Sequence, residues 1–382
     1  MKYFDYAATT PPFEEVITTV AEVMRRHYGN PSSMHRYGED ADKLIKRSRE
    51  VCAAALGVSP SEIVFTSGAT ESNNLAVKGA ALQYQTRGKH IVTVSTEHPS
   101  VYEACKQLTN LGFEVTFLPV DEEGHVTAEQ VCAAVRKDTI LVSIMHVNNE
   151  TGRVQPLHDI GAALKKQFPR VLFHIDGVQG FGKLPVDIRG WQADLYSLSA
   201  HKLRGPKGVG LLFVREGVEL FPLLSGGSQE QGVRAGTENV PSLVGMSKAV
   251  RLAGERQAET AQRMIEWRER VAAELKTIPQ LRLNSGKEAP HIVHFSYPGM
   301  KAEVLLHTLE QLGVAVSTKS ACSSKLAEPS RVLLAMGRNE AEAAGGIRIS
   351  FGDEHTEQDI DELILALRQA IAKLESLERW KR

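Results

Sequence analysis

A chain of 382 residues, 42% of them hydrophobic, is long enough for two domains and apolar enough for a sizeable core. Its 45 Lys and Arg balance 46 Asp and Glu to a formal net charge of −1, and no like-charge block interrupts the sequence, so neither nucleic acid nor a membrane surface is an expected partner. Cys52, Cys105, Cys132 and Cys322 lie far apart with no Cys-x-x-Cys, which excludes a disulfide framework and a zinc ribbon, and no metal is expected. Residues 1–10 contain no apolar leader core and no stretch approaches a membrane span, so the expected location is the cytoplasm.

In chain order, Asp5-Tyr-Ala-Ala-Thr-Thr-Pro-Pro reads as an extended arm stopped by Pro11 and Pro12, and residues 29–35 as a loop of turn formers. From Ala41 the apolar positions Leu44, Ile45, Val51, Cys52 and Ala55 make a helical stripe, so Cys52 is expected in the core, and Cys105 and Cys132 are read likewise. Strand-like runs follow at Ile63, Ile91, Val115, Ile140, Val171, Leu195 and Val209, alternating with helical stretches. Seven such runs predict an α/β fold with a mostly parallel sheet covered on both faces. After the glycine-rich segment 226–237 the pattern changes to a long polar helix from about Pro241 to Lys276. Residues 15–245 are therefore expected to form a large domain. Residues 1–14 and 246–382, with strand candidates at His291 and Ile347 and helices at 301–312 and 357–378, are expected to form a smaller α+β domain.

Ligands of such sheets sit beyond the carboxyl ends of the strands, where Thr70, His98, Asn149, Asp176 and Lys202 all fall. Lys202 ends an apolar run just before a glycine-rich turn, and Asp176 ends another about 25 residues earlier. A lysine able to form an imine, beside an acid that keeps a pyridine nitrogen protonated, is the pair pyridoxal phosphate (PLP) asks for. The small-residue turn at 66–74, between a strand and a helix, offers backbone amides for the phosphate. It lacks the lysine after glycine of a nucleotide-binding loop, which counts against a nucleotide binder.

Six motifs then carry a resemblance. Ser-Gly-Ala-Thr-Glu-Ser-Asn at 67–73, Thr-Glu-His at 96–98, His-Val-Asn-Asn-Glu-Thr-Gly at 146–152, Asp-Gly-Val-Gln at 176–179, Ser-Leu-Ser-Ala-His-Lys at 197–202 and Ser-Ala-Cys-Ser-Ser at 320–324 occur in order over nearly the whole chain. They resemble the motifs of cysteine desulfurases, PLP enzymes of the class V aminotransferase family with the PLP-dependent transferase fold (fold type I). The resemblance implies conversion of L-cysteine to L-alanine, with sulfur passed to Cys322 as a persulfide. It makes Lys202 the imine lysine and the base for the Cα proton, and His98 a ring-stacking acid or base. Asp176 would hold the pyridinium proton, and Gln179 would bond the ring phenolate oxygen. Ala69, Thr70, Ser199 and His201 would cradle the phosphate, joined by Thr237 from a second subunit of a homodimer. Asn149 and Arg348 would grip the substrate carboxylate, although Arg348, alternating with Ile347 and Ile349, by pattern alone is a solvent-facing strand residue.

Cys322 lies in a small, polar segment flanked by Lys319 and Lys325, whose charges favour the thiolate. The segment's length resembles the long-loop desulfurases, whose cysteine reaches both the PLP site and a sulfur-acceptor protein. The chain ends at Arg382 without the C-terminal tail that many of those members use to dock an iron–sulfur scaffold, so the acceptor stays open between such a scaffold and a tRNA-thiolation enzyme. A selenocysteine lyase or another class V aminotransferase is the alternative reading.

Overall fold

The structure is a computed structural model that describes residues 1–318 and 328–379, with side chains to Ser376. Its strands are β1 (Lys2–Tyr3), β2 (Ile63–Thr66), β3 (His90–Val94), β4 (Glu114–Leu118), β5 (Thr139–Met145), β6 (Leu172–Asp176), β7 (Leu195–Ser199), β8 (Gly210–Val214), β9 (Arg282–Leu283), β10 (Ile292–Ser296), β11 (Val314–Ala315) and β12 (Gly346–Ser350). Seven of them form one sheet in the order β2-β8-β7-β6-β5-β3-β4. Only β8 there runs against its neighbours; the other pairs are parallel. The seven expected runs are these seven strands. Their near-continuous apolar character has a simple cause: helices cover both faces, so successive residues enter opposite cores. Leu141 packs with Leu75, Val101 and Leu108 on one face, while Val142 packs with Ile45, Phe173 and Val250 on the other.

The smaller lobe is an antiparallel sheet, β12-β10-β9, backed by the helices Ala302–Gln311 and Glu357–Arg379. Its core includes Val293, Phe295, Ile347, Ile349, Leu363 and Leu367. One helix, Val240–Lys276, serves both lobes: Leu243, Met246 and Val250 pack into the large core, and Met264, Trp267, Val271 and Leu275 into the small one. The chain's start also reaches both, since β1 pairs with β11 and Phe4 sits in the small core, while Phe13 and Val16 pack on Ala249 and Leu252. Residues 5–12 are not a simple extended arm. After a bridge from Asp5 to Ser350 the chain turns, with the Ala8 amide donating to the Asp5 carbonyl.

Cys52 and Cys105 are buried as expected, and burial pushes the Cys52 thiol up to about 12. Cys132 differs: it is half-buried at the rim of the large core, where its sulfur accepts a hydrogen bond from Gln167. Among the described residues no helix is long and apolar enough to cross a membrane, and no cluster of metal-ligating side chains occurs.

Candidate active site

The register of the parallel strands sets their carboxyl ends level. Met145 lies opposite Asp176, and Asp176 opposite Ser197. Because β8 opposes both β2 and β7, Thr66 at the end of β2 and Ser199 at the end of β7 both face Gly210 at its start. Segments leaving these ends enclose a cavity of about 500 Å³, within the usual range for small-ligand sites. Ala69, Thr70, His98, Asn149, Asp176, Gln179, Ser199, His201, Lys202 and Arg348 all line it. Thr237 does not: it is exposed on the segment after β8, outside the cavity of the single chain. Residues 29–35, a loop that resembles an active-site segment of the desulfurases, do not line it either. Cys322 lies outside the described residues.

The turn after β2 depends on two glycines. Gly68 has φ +149°, a conformation that side chains rarely adopt, and a Cβ on Gly210 would stand 2.6 Å from the Gly68 Cα. That close approach sets the helix Ala69–Asn74 against the end of β7. The first amides of a helix have no partners within it. Together with the Thr70 and Ser199 hydroxyls and His201 they form a cup of donors suited to a phosphate. Burial, with Lys202 and Lys207, brings His201 down to about 4, so it is neutral, and its Nδ1 engages Thr9 Oγ1 at 3.2 Å.

At the other end Asp176 presents a buried carboxylate. Burial raises its pKa, opposed by the Val178 amide (3.1 Å to Oδ1), Asn73 Nδ2 (2.8 Å to Oδ2) and the charge of Lys202. Each carboxylate oxygen keeps an accepting lone pair, so the group suits a pyridinium N–H. Between cup and acid, Lys202 Nζ donates to the carbonyls of Ala7 (2.6 Å) and Ala8 (2.7 Å). The Ala7 carbonyl also accepts from Gln179 Nε2 at 2.9 Å, and Gln179 Oε1 meets His291 Nε2 at 3.2 Å. A phosphate cup, an amine and a carboxylate on one sheet edge fit PLP.

Arg348 is not the solvent-facing residue its alternation suggests. It is 1% exposed, because β12 is covered on both faces, and its guanidinium donates to the Asn149 carbonyl (2.7 Å) and Asp5 Oδ1 (2.8 Å). The sequence assigns no such role to Asp5, and none to Asn73 or Ser100.

A parallel α/β sheet with this lysine, acid and phosphate cup at its carboxyl edge defines a PLP-dependent enzyme of fold type I. Residues 2–363 match the aminotransferase class-V family, and the chain belongs to that family, with PLP as its cofactor. It is 43% identical over 382 residues to "Cysteine desulfurase IscS" of Dictyoglomus turgidum, covering 99% of this chain and 96% of that one. It is also 41% identical to the protein of the same name in Methanosarcina thermophila, covering 98% and 93%. Among solved structures it resembles a "NIFS-LIKE PROTEIN" with TM-score 0.91 at 38% identity, over 97% of this chain and 99% of the other. "SspA in complex with cysteine" gives TM-score 0.82 at 38% identity, covering 93% and 100%.

Proposed function

We propose that this protein is a cysteine desulfurase that takes sulfur from L-cysteine onto Cys322 and releases L-alanine. The observation that carries the reading is where the Cys322 segment is fastened. On its near side Ser317 exchanges both backbone hydrogen bonds with Arg348 (3.1 and 2.7 Å). On its far side Ser330 Oγ donates to Glu150 Oε2 at 2.5 Å, next to Asn149. Both described ends thus flank the two residues assigned to the substrate carboxylate, and five residues can span at most about 18 Å.

When bound, PLP supplies the electron sink that lets bonds at the substrate Cα and Cβ break. Asp176 would keep the ring nitrogen protonated, Gln179 Nε2 would donate to the ring oxygen, and Thr70, Ser199 and His201 would hold the phosphate. Arg348 receives the substrate carboxylate with its fork, supported by Asn149. Lys202 Nζ moves the Cα proton. Cys322 attacks as thiolate on the substrate sulfur: an S–S bond forms, the C–S bond breaks, and the carbon left behind takes up a proton to give alanine.

The persulfide is passed on to an acceptor protein, an iron–sulfur scaffold or a tRNA-thiolation enzyme. Thr237, exposed outside its own cavity, completes the phosphate site of a second copy in a homodimer. Cytoplasmic residence is supported by the unpaired Cys52, Cys105 and Cys132. The test is mass spectrometry after incubation with L-cysteine. One reductant-labile sulfur is expected on the Cys322 peptide, and no alanine from Cys322→Ser. Sulfur on another cysteine, or normal alanine release by that variant, would refute the reading and favour a lyase or aminotransferase.

A further inference from the structure

A hydrogen-bond chain that none of the assigned roles uses runs under the cavity. Asn73, 0% exposed, donates from Nδ2 both to Asp176 Oδ2 and to Ser100 Oγ, each at 2.8 Å. Ser100 Oγ lies 2.8 Å from His98 Nδ1, and the Ser100 amide donates to the same nitrogen at 3.2 Å. His98 caps the helix Pro99–Thr109 through that second bond.

We propose that Asn73 and Ser100 are positioning residues that lock His98 in the neutral tautomer with its proton on Nε2. The proton count leaves one solution. Asp176 needs a donor, so the Asn73 amide must turn its nitrogen toward it, and both amide hydrogens are then committed. The Asn73 carbonyl oxygen has no partner among the described residues, a cost that the two bonds to Nδ2 offset. The Ser100 amide donates to His98 Nδ1, so that nitrogen carries no hydrogen. Ser100 Oγ, which accepts from Asn73, then sends its own proton to the same nitrogen. His98 therefore offers the cavity an Nε2–H, and it neither takes a proton at Nδ1 nor becomes imidazolium without breaking two bonds.

The charges around His98 agree. Burial comes first, followed by Lys202 after β7, Arg331 of the helix Arg331–Ala335 and Arg348 of β12, and together they lower it to about 4. The preceding Glu97 is raised well above the ordinary carboxylate range by burial and by Asp176, and Asp176 itself lies beyond Asn73. His98 is thus a donor and a stacking plate, and the Cα proton is left to Lys202.

This assignment rests on the PLP reading only for its catalytic consequence, because the tautomer is readable without cofactor. Nitrogen-15 NMR of histidine-labelled protein, with and without PLP, should show an unprotonated Nδ1 and protonated Nε2 for His98 at neutral pH, its signal identified by loss in His98→Gln. An Nδ1–H tautomer, an averaged pair or an imidazolium would overturn the proposal. Failure to bind PLP would instead sink the cofactor reading and leave the tautomer result standing. Ser100→Ala removes a donor to the neutral ring, so the His98 titration, and with it the acid limb of kcat/KM, should move up by roughly one pH unit. Ser100→Thr should restore it. An alanine variant with the limb unmoved and the tautomer unchanged would show that Ser100 has no such role.

Discussion

Replacing Arg348 with lysine keeps the charge and removes the fork. In the structure the guanidinium serves the Asn149 carbonyl at 2.7 Å and Asp5 Oδ1 at 2.8 Å while 1% exposed, and it is the group assigned to the substrate carboxylate. A single ammonium cannot reach two fixed acceptors and still present two parallel donors. Charge-assisted bonds contribute about 1.5–3 kcal/mol each, and losing two at the lower end costs about 3 kcal/mol of transition-state binding. At about 1.4 kcal/mol per factor of ten, kcat/KM should fall roughly a hundredfold, mostly through KM, since the carboxylate is gripped before and during reaction. Asp5→Asn, which removes only the counter-charge, should cost at most about tenfold. The assay is steady-state alanine release at saturating PLP, with the cofactor absorbance as a control, because Arg348 is not in the phosphate cup or beside the ring nitrogen's acid. An Arg348→Lys enzyme within threefold of wild type would refute the carboxylate role.

Lys202→Ala should lose both turnover and the borohydride-reducible chromophore of the holoenzyme; a reducible absorbance that survives would move the imine elsewhere. Gly210→Ala must displace backbone, since its Cβ would meet the Gly68 Cα at 2.6 Å and the Leu198 carbonyl at 2.7 Å, so PLP affinity should drop by roughly tenfold or more and stability by about 1–3 kcal/mol. Unchanged affinity by fluorescence titration would show that the turn has slack. Away from the site, His125 first, and Arg153 with it, holds the Glu288 carboxyl down to about 2 against an ordinary 4.5, while Glu288 raises His125 above 6.5. The carboxylate's contribution is present above pH 4.5 and lost on the way to 2; the imidazolium's is present below 6.5 and lost as pH rises through the raised value. Glu288→Gln should therefore destabilise most near pH 5.5, by under about 1 kcal/mol because Glu288 is 37% exposed, and hardly below pH 2. Equal denaturation midpoints for the two proteins at pH 5.5 would refute it.

How far the sequence could be read follows from what each element buries. The strands of the large sheet are legible because double-sided burial demands apolar runs that no loop needs. The two-residue strands β1, β9 and β11 carry no periodicity at that length and appear only through their partners. Lys202, Asp176 and the turn at 67–70 could be read because each is chemically unusual at a strand end. Asn73 could not, since its partner Asp176 stands 103 positions away and an uncharged amide gives no signal of its own. Arg348 misleads for a related reason: alternation reports which face a residue is on, and here both faces are covered.

The arm at the start of the chain explains how residues from two lobes share one site. Phe4 is anchored in the small core, and Asp5 holds Arg348. Two residues on, the Ala7 carbonyl receives both Gln179 and Lys202, and the Ala8 carbonyl receives Lys202 again. The Thr10 amide then donates to the His201 carbonyl, and the Phe13 amide to that of Arg204. Within ten residues the arm touches the group assigned to the substrate carboxylate, the amine assigned to the cofactor and the turn assigned to the phosphate. Its contacts to Lys202 and to the 201–204 turn are made largely with backbone carbonyls and amides, which any side chains would supply, so composition could not announce the role. What fixes it is the path: a chain bonded to the large lobe at one end and buried in the small lobe at the other cannot let Arg348 drift from Lys202 without breaking several of these bonds together. The separation between the carboxylate grip and the amine is thus set by the short run of backbone from Asp5, which holds Arg348, to Ala7 and Ala8, whose carbonyls hold Lys202.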